Sequence, residues 1–337
     1  MIESGAVPEK EWIVGVGSAL VDILSHEDDQ FLEAVGAIKG GMQLVDMACI
    51  EKAMARTLAA PIIVPGGSAC NTMVGVGKLG GKARFIGKCG QGQMGRRLSD
   101  GLRQSNVEPL LTLSASPTGR VFSIITPDAQ RSFLTYLGAA AEAQPDEILA
   151  DYFNGAAIVH LEGYLLHSEA LIMTALQKAK AAGAAISIDL ASFTVVESAR
   201  ELLEHVVDSY ADIVLANEEE ARAYTGTIDE LKALDILSRK AKVAVVKVGD
   251  RGSYIRHAGK TTRVAPVGDG MAVDTTGAGD LWAAGFLYGL VSGMDIADSG
   301  ALGSACGYEV CQVVGATIPD AGWERIRQRL RLQSSDS

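Results

Sequence analysis

The run Asp274-Thr275-Thr276-Gly277-Ala278-Gly279-Asp280 could do chemistry. It stands where a polar, β-branched stretch (261–273) gives way to an apolar run (281–291) that can form a buried helix. A helix N-terminus offers unpaired N–H groups and the positive end of a dipole, so the amides of Gly277, Ala278 and Gly279 can hold an anion. Glycine lets the backbone approach a phosphate closely. Asp280 is then out of place, because a carboxylate among anion-binding amides is repelled unless it does chemistry. Taking the proton from a hydroxyl that attacks phosphorus is such a chemistry. The alternative is a helix-capping Asp after a flexible loop.

Four other stretches carry similar residues. In Pro65-Gly66-Gly67-Ser68-Ala69-Cys70-Asn71, two glycines precede a helix of small residues expected over 68–79, with Ser68 as its N-cap. Gly75 and Gly77 inside that helix cost about 1 kcal/mol each relative to Ala, which points to something packed close by. Asn71, one turn in, points back toward the loop and offers a donor and an acceptor to a vicinal diol, unless it only caps and packs. Asn217-Glu218-Glu219-Glu220 closes an apolar strand and opens a helix. Asn217 can cap it while the acids complement the dipole, or Glu220 can orient a hydrated Mg²⁺. Lys247 precedes Gly249-Asp250-Arg251-Gly252, a backbone cradle or a tight turn. Asp22 lies at the apolar end of a strand-like run (12–24) broken by Gly15 and Gly17. Taken alone it reads as an exposed strand-end residue.

These residues need elements to hold them. Short apolar strands over 156–161, 184–188, 213–216 and 243–248 alternate with helical stretches, 170–182 being the plainest. That is a right-handed βαβ series with a parallel sheet, whose functional residues collect at the carboxyl ends of the strands. Glu162-Gly163-Tyr164, Asp189 and Asn217 stand at those ends. Residues 109–137 alternate polar and apolar with turns at Ser116-Pro117 and Pro127-Asp128, which predicts an antiparallel ribbon with Arg131 as the main cation of its second half. Further helices are expected over 28–37, 50–58, 301–316 and, exposed, 325–331, before a frayed end at 334–337.

Composition bounds the function. A chain of 337 residues is ample for one large α/β domain with a smaller appendage. A net charge of −11 argues against nucleic acid as a bulk partner. Five scattered Cys without a CxxC pair suggest neither a zinc site nor a disulfide framework. The charged stretch 1–11 is not a secretory signal, and no apolar run reaches membrane-spanning length. A soluble cytoplasmic protein is the expectation. Literal Gly-x-Gly-x-x-Gly matches at 75–80 and 90–95 lack the context of a dinucleotide site, the first lying in a helix and the second without the acid that grips a ribose.

The stretch from Gly66 to Gly95 resembles the first signature of the ribokinase family of sugar and nucleoside kinases (the phosphofructokinase-B family). The run from Asp274 to Asp280 resembles the second, and Asn217-x-x-Glu220 matches the metal-associated motif of the family. The similarity spans residues 12–318. Gly17-Ser18-Ala19-Leu20-Val21-Asp22-Ile23, the stretch 126–132 and Glu162-Gly163-Tyr164-Leu165 are most similar to its adenosine-kinase-like bacterial branch. The resemblance implies a three-layer α/β ribokinase-like fold, with a central mostly parallel sheet and a small β-sheet lid. The large domain would take 1–16, 47–108 and 138–330, the lid 17–46 and 109–137, and a tail 331–337.

It implies that Asp22, Gly66, Gly67 and Asn71 line the sugar site, that Ser18, Phe133, Thr135, Tyr164 and Leu165 flank a base, and that Arg131 lies near the transferring phosphate. Asn217, Lys247, Gly249, Gly252, Thr276 and Gly279 would fall on the ATP side. Gly277, Ala278 and Gly279 would form the anion hole with Asp280 as base. Glu220 would hold Mg²⁺ through water, and Asp274, Thr276 and Gly315 would surround K⁺. Three positions depart from the family: Gly92 replaces a usual Asp, Ser18 an Asn common in adenosine kinases, and Lys247 a common Thr. The reaction implied is ATP- and Mg²⁺-dependent phosphorylation of a primary hydroxyl of a nucleoside, adenosine favoured. A ribokinase- or fructokinase-type sugar kinase and a non-catalytic nucleotide- or sugar-binding regulator are the rivals. Partners would be small molecules only, with no nucleic acid and no membrane, in a monomer or homodimer.

Overall fold

A computed structural model describes residues 10–58, 60–128, 130–268 and 270–335. Most of the charged N-terminal stretch and residues 336–337 of the expected tail lie outside these residues. The strands are, in chain order, β1 (Trp12–Val16), β2 (Leu20–His26), β3 (Met42–Leu44), β4 (Ile62–Gly66), β5 (Lys82–Gly90), β6 (Val107–Ser114) and β7 (Thr118–Ile125). They continue with β8 (Arg131–Gly138), β9 (Ala156–Glu162), β10 (Ala185–Asp189), β11 (Ile213–Asn217), β12 (Val243–Lys247), β13 (Ser253–His257) and β14 (Lys260–Val264).

Nine of them form one sheet in the order β14-β13-β12-β11-β10-β9-β1-β5-β6. From β12 to β6 every pairing is parallel, and β13 and β14 add an antiparallel hairpin at one edge. The strands are apolar on both faces because helices cover both. On one face Ile13, Ile158 and Leu215 pack with Met73, Leu281 and Leu302. On the other, Val14, Ile188 and Val214 pack with Ile172, Val206 and Leu234. This is the expected three-layer α/β architecture. No helix among the described residues is long and apolar enough to cross a membrane.

The five other strands form a small sheet in the order β3-β8-β7-β2-β4. It is mixed rather than a simple antiparallel ribbon, since β2 runs parallel to β7 and β3 parallel to β8. The run 12–24 divides between β1, in the centre of the large sheet, and β2, in the small one. Two strands differ from the expected segments. β4 joins the small sheet, while β6 pairs with β5 in the large sheet. Alternation of polar and apolar residues cannot distinguish a lid strand from the half-covered edge of a parallel sheet, which explains the misplacement of 109–114.

The helix expected over 301–316 runs from Ile296 to Cys311, because the Asp295 carboxylate accepts from the Asp298 N–H and starts it earlier. A further helix, Asp320–Ser335, includes the basic stretch and most of the expected tail. It is not fully exposed, since Trp323 and Ile326 are buried.

Helix Ser68–Lys78 lies against helix Ala278–Val291. Gly75 permits this, for a Cβ there would stand 2.5 Å from the Ala284 Cβ. The close approach brings the first turns of the two helices together.

Candidate active site

Gly277 caps helix Ala278–Val291 in the left-handed conformation, with φ 74°. Only glycine adopts this routinely, and a Cβ would also stand 2.6 Å from the Ala316 Cβ. Asp280 is therefore the third helical residue and not the cap. The Ala278 N–H donates to the Thr275 carbonyl at 3.1 Å. Among the described residues, the amides of Gly277, Gly279 and Asp280 make no such bond. The free donors thus include Asp280 in place of Ala278. Beneath the loop, buried Asp274 accepts from the N–H of Thr276 at 2.7 Å and from the N–H of Gly315. The three residues expected around K⁺ do converge, joined by bonds to one another.

The Asp280 carboxylate accepts from the Ser68 hydroxyl at 2.8 Å and the Asn71 side-chain amide at 3.0 Å. Ser68 is not an N-cap. Gly67 takes that position with φ 101° and no side-chain capping bond, so Ser68 is free to face Asp280. Asn71, expected at the diol, lines the cleft and donates its side-chain amide N–H to the Asp280 carboxylate. Burial pushes the Asp280 carboxyl up to about 6, while the bonds from Asn71 and Ser68 pull against this.

Asp22 is not exposed. It sits inside β2, opposite Val64 and Val121, and is 8% exposed. Burial, and then the charge of Asp280, push its carboxyl up to about 7. A Cβ on Gly66 would stand 2.3 Å from its Oδ1, so glycine makes room for this side chain.

Four adjacent parallel strands, β9 to β12, end in Glu162, Asp189, Asn217 and Lys247, all of which line one cleft. Glu162 accepts from the N–H of Ser18 at 2.8 Å and of Ala69 at 2.9 Å. It pins the β1–β2 crossing to the start of helix Ser68–Lys78, a role for which its strand-end position was the only signal. Asn217 caps helix Glu218–Thr225. Its Oδ1 accepts from the Glu220 N–H at 2.8 Å, and the Glu220 carboxylate accepts from the Asn217 N–H at 2.8 Å and from its Nδ2 at 2.7 Å. Burial, and next the charge of Asp189, raise the Glu220 carboxyl to about 7. Lys247 pairs with Asp189 at 2.9 Å.

The cleft encloses about 1310 Å³. The small sheet contributes the apolar Leu20, Val121, Phe133 and Leu137 to the lining, with Asp22 and Thr135, and Ser18, Tyr164 and Leu165 line the same cleft. Gly249, Gly252, Pro266, Met271 and Tyr308 line it too, as do Thr276, Gly279 and Asp280. Lys247 is the only Lys or Arg among the described lining residues. Arg131 opens β8, opposite Ile125 of β7.

Among the described residues, no group of three or more His, Cys, Asp or Glu could cage a metal ion. A hydrated Mg²⁺ needs fewer protein ligands, since it keeps several waters and takes oxygens from phosphates. Asp189, Glu220 and Asp280 beside a single ammonium leave net negative charge that suits such a cation.

A large cleft with a carboxylate beside free amides suits transfer of an anionic group between two ligands. A family model described as pfkB family carbohydrate kinase matches residues 34–321. The chain is 29% identical over 321 residues to a probable fructokinase-4 from Arabidopsis thaliana, covering 89% of this chain and 90% of that one. It is 32% identical over 254 residues to a 5-dehydro-2-deoxygluconokinase from Shouchella clausii (strain KSM-K16), covering 71% and 78%. The solved structure of adenosine kinase from Sinorhizobium meliloti superposes with a TM-score of 0.86 at 33% identity, covering 95% of this chain and 99% of that one.

Proposed function

The chain belongs to the pfkB family of carbohydrate kinases, and we propose that its acceptor is a nucleoside, adenosine above all, phosphorylated by ATP on the primary hydroxyl. It is a phosphotransferase with a hydroxyl acceptor. The reading of the acceptor rests on the apolar lining of Leu20, Val121, Phe133, Leu137, Tyr164 and Leu165 in the cleft that also holds Asp22. A purine covers such a lining, while a free sugar leaves much of it wet. A sugar acid fits less well, because its carboxylate would meet Asp22 and Glu162, with Lys247 as the only Lys or Arg among the described lining residues. The similarity to adenosine kinase from Sinorhizobium meliloti supports the same choice, and the similarity to fructokinase supports the sugar alternative.

In this reading Asp22 accepts from the sugar hydroxyls. Asp280, held by Ser68 and Asn71, takes the proton of the attacking hydroxyl. The free amides of Gly277, Gly279 and Asp280 hold the transferring phosphoryl group. ATP lies toward Gly249, Gly252 and Thr276. Mg²⁺, bound with it, would neutralise phosphate charge, and Glu220 would hold it through water. K⁺ would lie by Asp274, Thr276 and Gly315. The enzyme acts in the cytoplasm as a monomer or homodimer.

The test is turnover of a panel of nucleosides, ribose, fructose and a sugar acid with MgATP, read by ADP release. Adenosine should give the highest kcat/KM. Fructose preferred over every nucleoside would overturn the reading, and a protein that binds but turns over nothing would favour a regulator.

A further inference from the structure

Lys247 ends β12, and its ammonium reaches past β11 to Asp189 on β10. A Cβ placed on Gly279 would stand 3.1 Å from Nζ, so the ammonium lies against the loop that carries the free amides. Its side chain is only 13% exposed. Among the described residues, Asp189 Oδ2 is its one hydrogen-bonding partner, although an ammonium carries three donors. A buried cation with idle donors is costly unless a ligand uses them. Asp189 is itself fixed, because its Oδ1 accepts from the Ala191 N–H at 2.9 Å. Asp189, Glu220 and Asp280 all line the cleft with this ammonium, and a polyphosphate that enters meets Lys247 as the only Lys or Arg among the described lining residues.

We propose that Lys247 is the cation of the transfer step: it docks on the terminal phosphoryl group of the nucleotide and stays on it as it moves to the acceptor. Asp189 is a positioning residue that aims the ammonium. As the acceptor oxygen bonds to the γ-phosphorus, the bond from that phosphorus to the β–γ bridging oxygen breaks and leaves its electron pair on ADP. The hydroxyl proton goes to Asp280. Lys247 gives up no proton and offers donors to the phosphoryl oxygens throughout. The proposal rests on the kinase activity and not on the choice of acceptor.

The test uses nucleotide binding without an acceptor, so failure of the nucleoside reading would not touch it. Lys247→Met alone leaves Asp189 buried and uncompensated and risks misfolding. The double variant Lys247→Met/Asp189→Asn removes both charges and leaves the net charge of the site unchanged. Affinities for Mg²⁺ complexes of ADP and of a non-hydrolysable ATP analogue are measured beside melting curves. The double variant should melt like the parent, lose about 10- to 100-fold in affinity for the analogue and change by less than about threefold for ADP. Lys247→Arg should recover part of the difference. If the double variant folds and keeps the parent's ratio of the two affinities, Lys247 is only a structural partner of Asp189 and the proposal falls.

Discussion

Asp280→Asn separates chemistry from folding. At pH 8 the wild-type carboxylate is ionised in both folded and unfolded chains, but the fold has moved its pKa from 3.8 to about 6. At about 1.4 kcal/mol per unit this destabilises the native state by about 3 kcal/mol. The group faces an open cleft, and solvent there reduces the figure to about 2 kcal/mol. Asn carries no charge. Its Oδ1 can accept from Ser68, and Asn71 can turn its amide to accept from the new Nδ2, so both bonds survive. The variant should melt about 3 °C higher at pH 8. A raised carboxyl adds stability below about 3.8 that is lost as pH rises through about 6, so the advantage should vanish near pH 4 and be complete by pH 8. Turnover should move the other way, falling about 10²- to 10⁴-fold for loss of a positioned base. The wild-type rate should rise with pH through about 6, while that of the variant stays flat there. The assays are kcat at saturating ATP and acceptor and calorimetric melting across this pH range. A folded variant keeping more than about a tenth of the rate would refute the role of base, and one melting several degrees lower at pH 8 would refute the electrostatics.

Removing Asp22 as Asp22→Ala should raise KM for the acceptor by about 10- to 100-fold at little change in KM for ATP, and a 2′-deoxy acceptor should suffer similarly with the unaltered protein. Equal use of both acceptors by parent and variant would disprove the sugar contact. Glu162→Gln turns one acceptor oxygen into a donor facing the N–H of Ser18 or Ala69. An unpaired buried donor should lower stability by about 1–3 kcal/mol in chemical denaturation and raise the acceptor KM. Full retention of both counts against its pinning role. Activity should be higher in K⁺ than in a bulky organic cation, and identical rates in the two would dismiss a cation by Asp274, Thr276 and Gly315.

The anion loop was legible because its parts are local. Glycines, an acid and an apolar run in that order imply a helix start wherever the chain goes. The Asn217 cap was legible for the same reason, as was the parallel series from β9 to β12. What escaped depends on distant segments. Ser68 and Asn71 face Asp280 only because Gly75 lets one helix settle against Ala284 on another. Asp22 is buried only because β4 and β7, from remote parts of the chain, close over β2. Glu162 and Asp189 stood at expected strand ends, but their partners are backbone groups and a lysine that no spacing in the sequence connects to them.

The place of β1 bears on how the protein is made. Its Trp12–Val16 run is translated before either of its sheet neighbours, yet it ends in the middle of the sheet, with Trp12 opposite Lys82 on one side and Ala156 on the other. During synthesis this apolar strand has no sheet neighbour until β5 emerges, and its second edge stays open until β9 does. Nascent chains stalled between those two points carry a bare β edge, the kind of surface that draws chaperones or other nascent chains. The window closes only when the translated length passes β9, so the large sheet cannot form strand by strand in the order of translation.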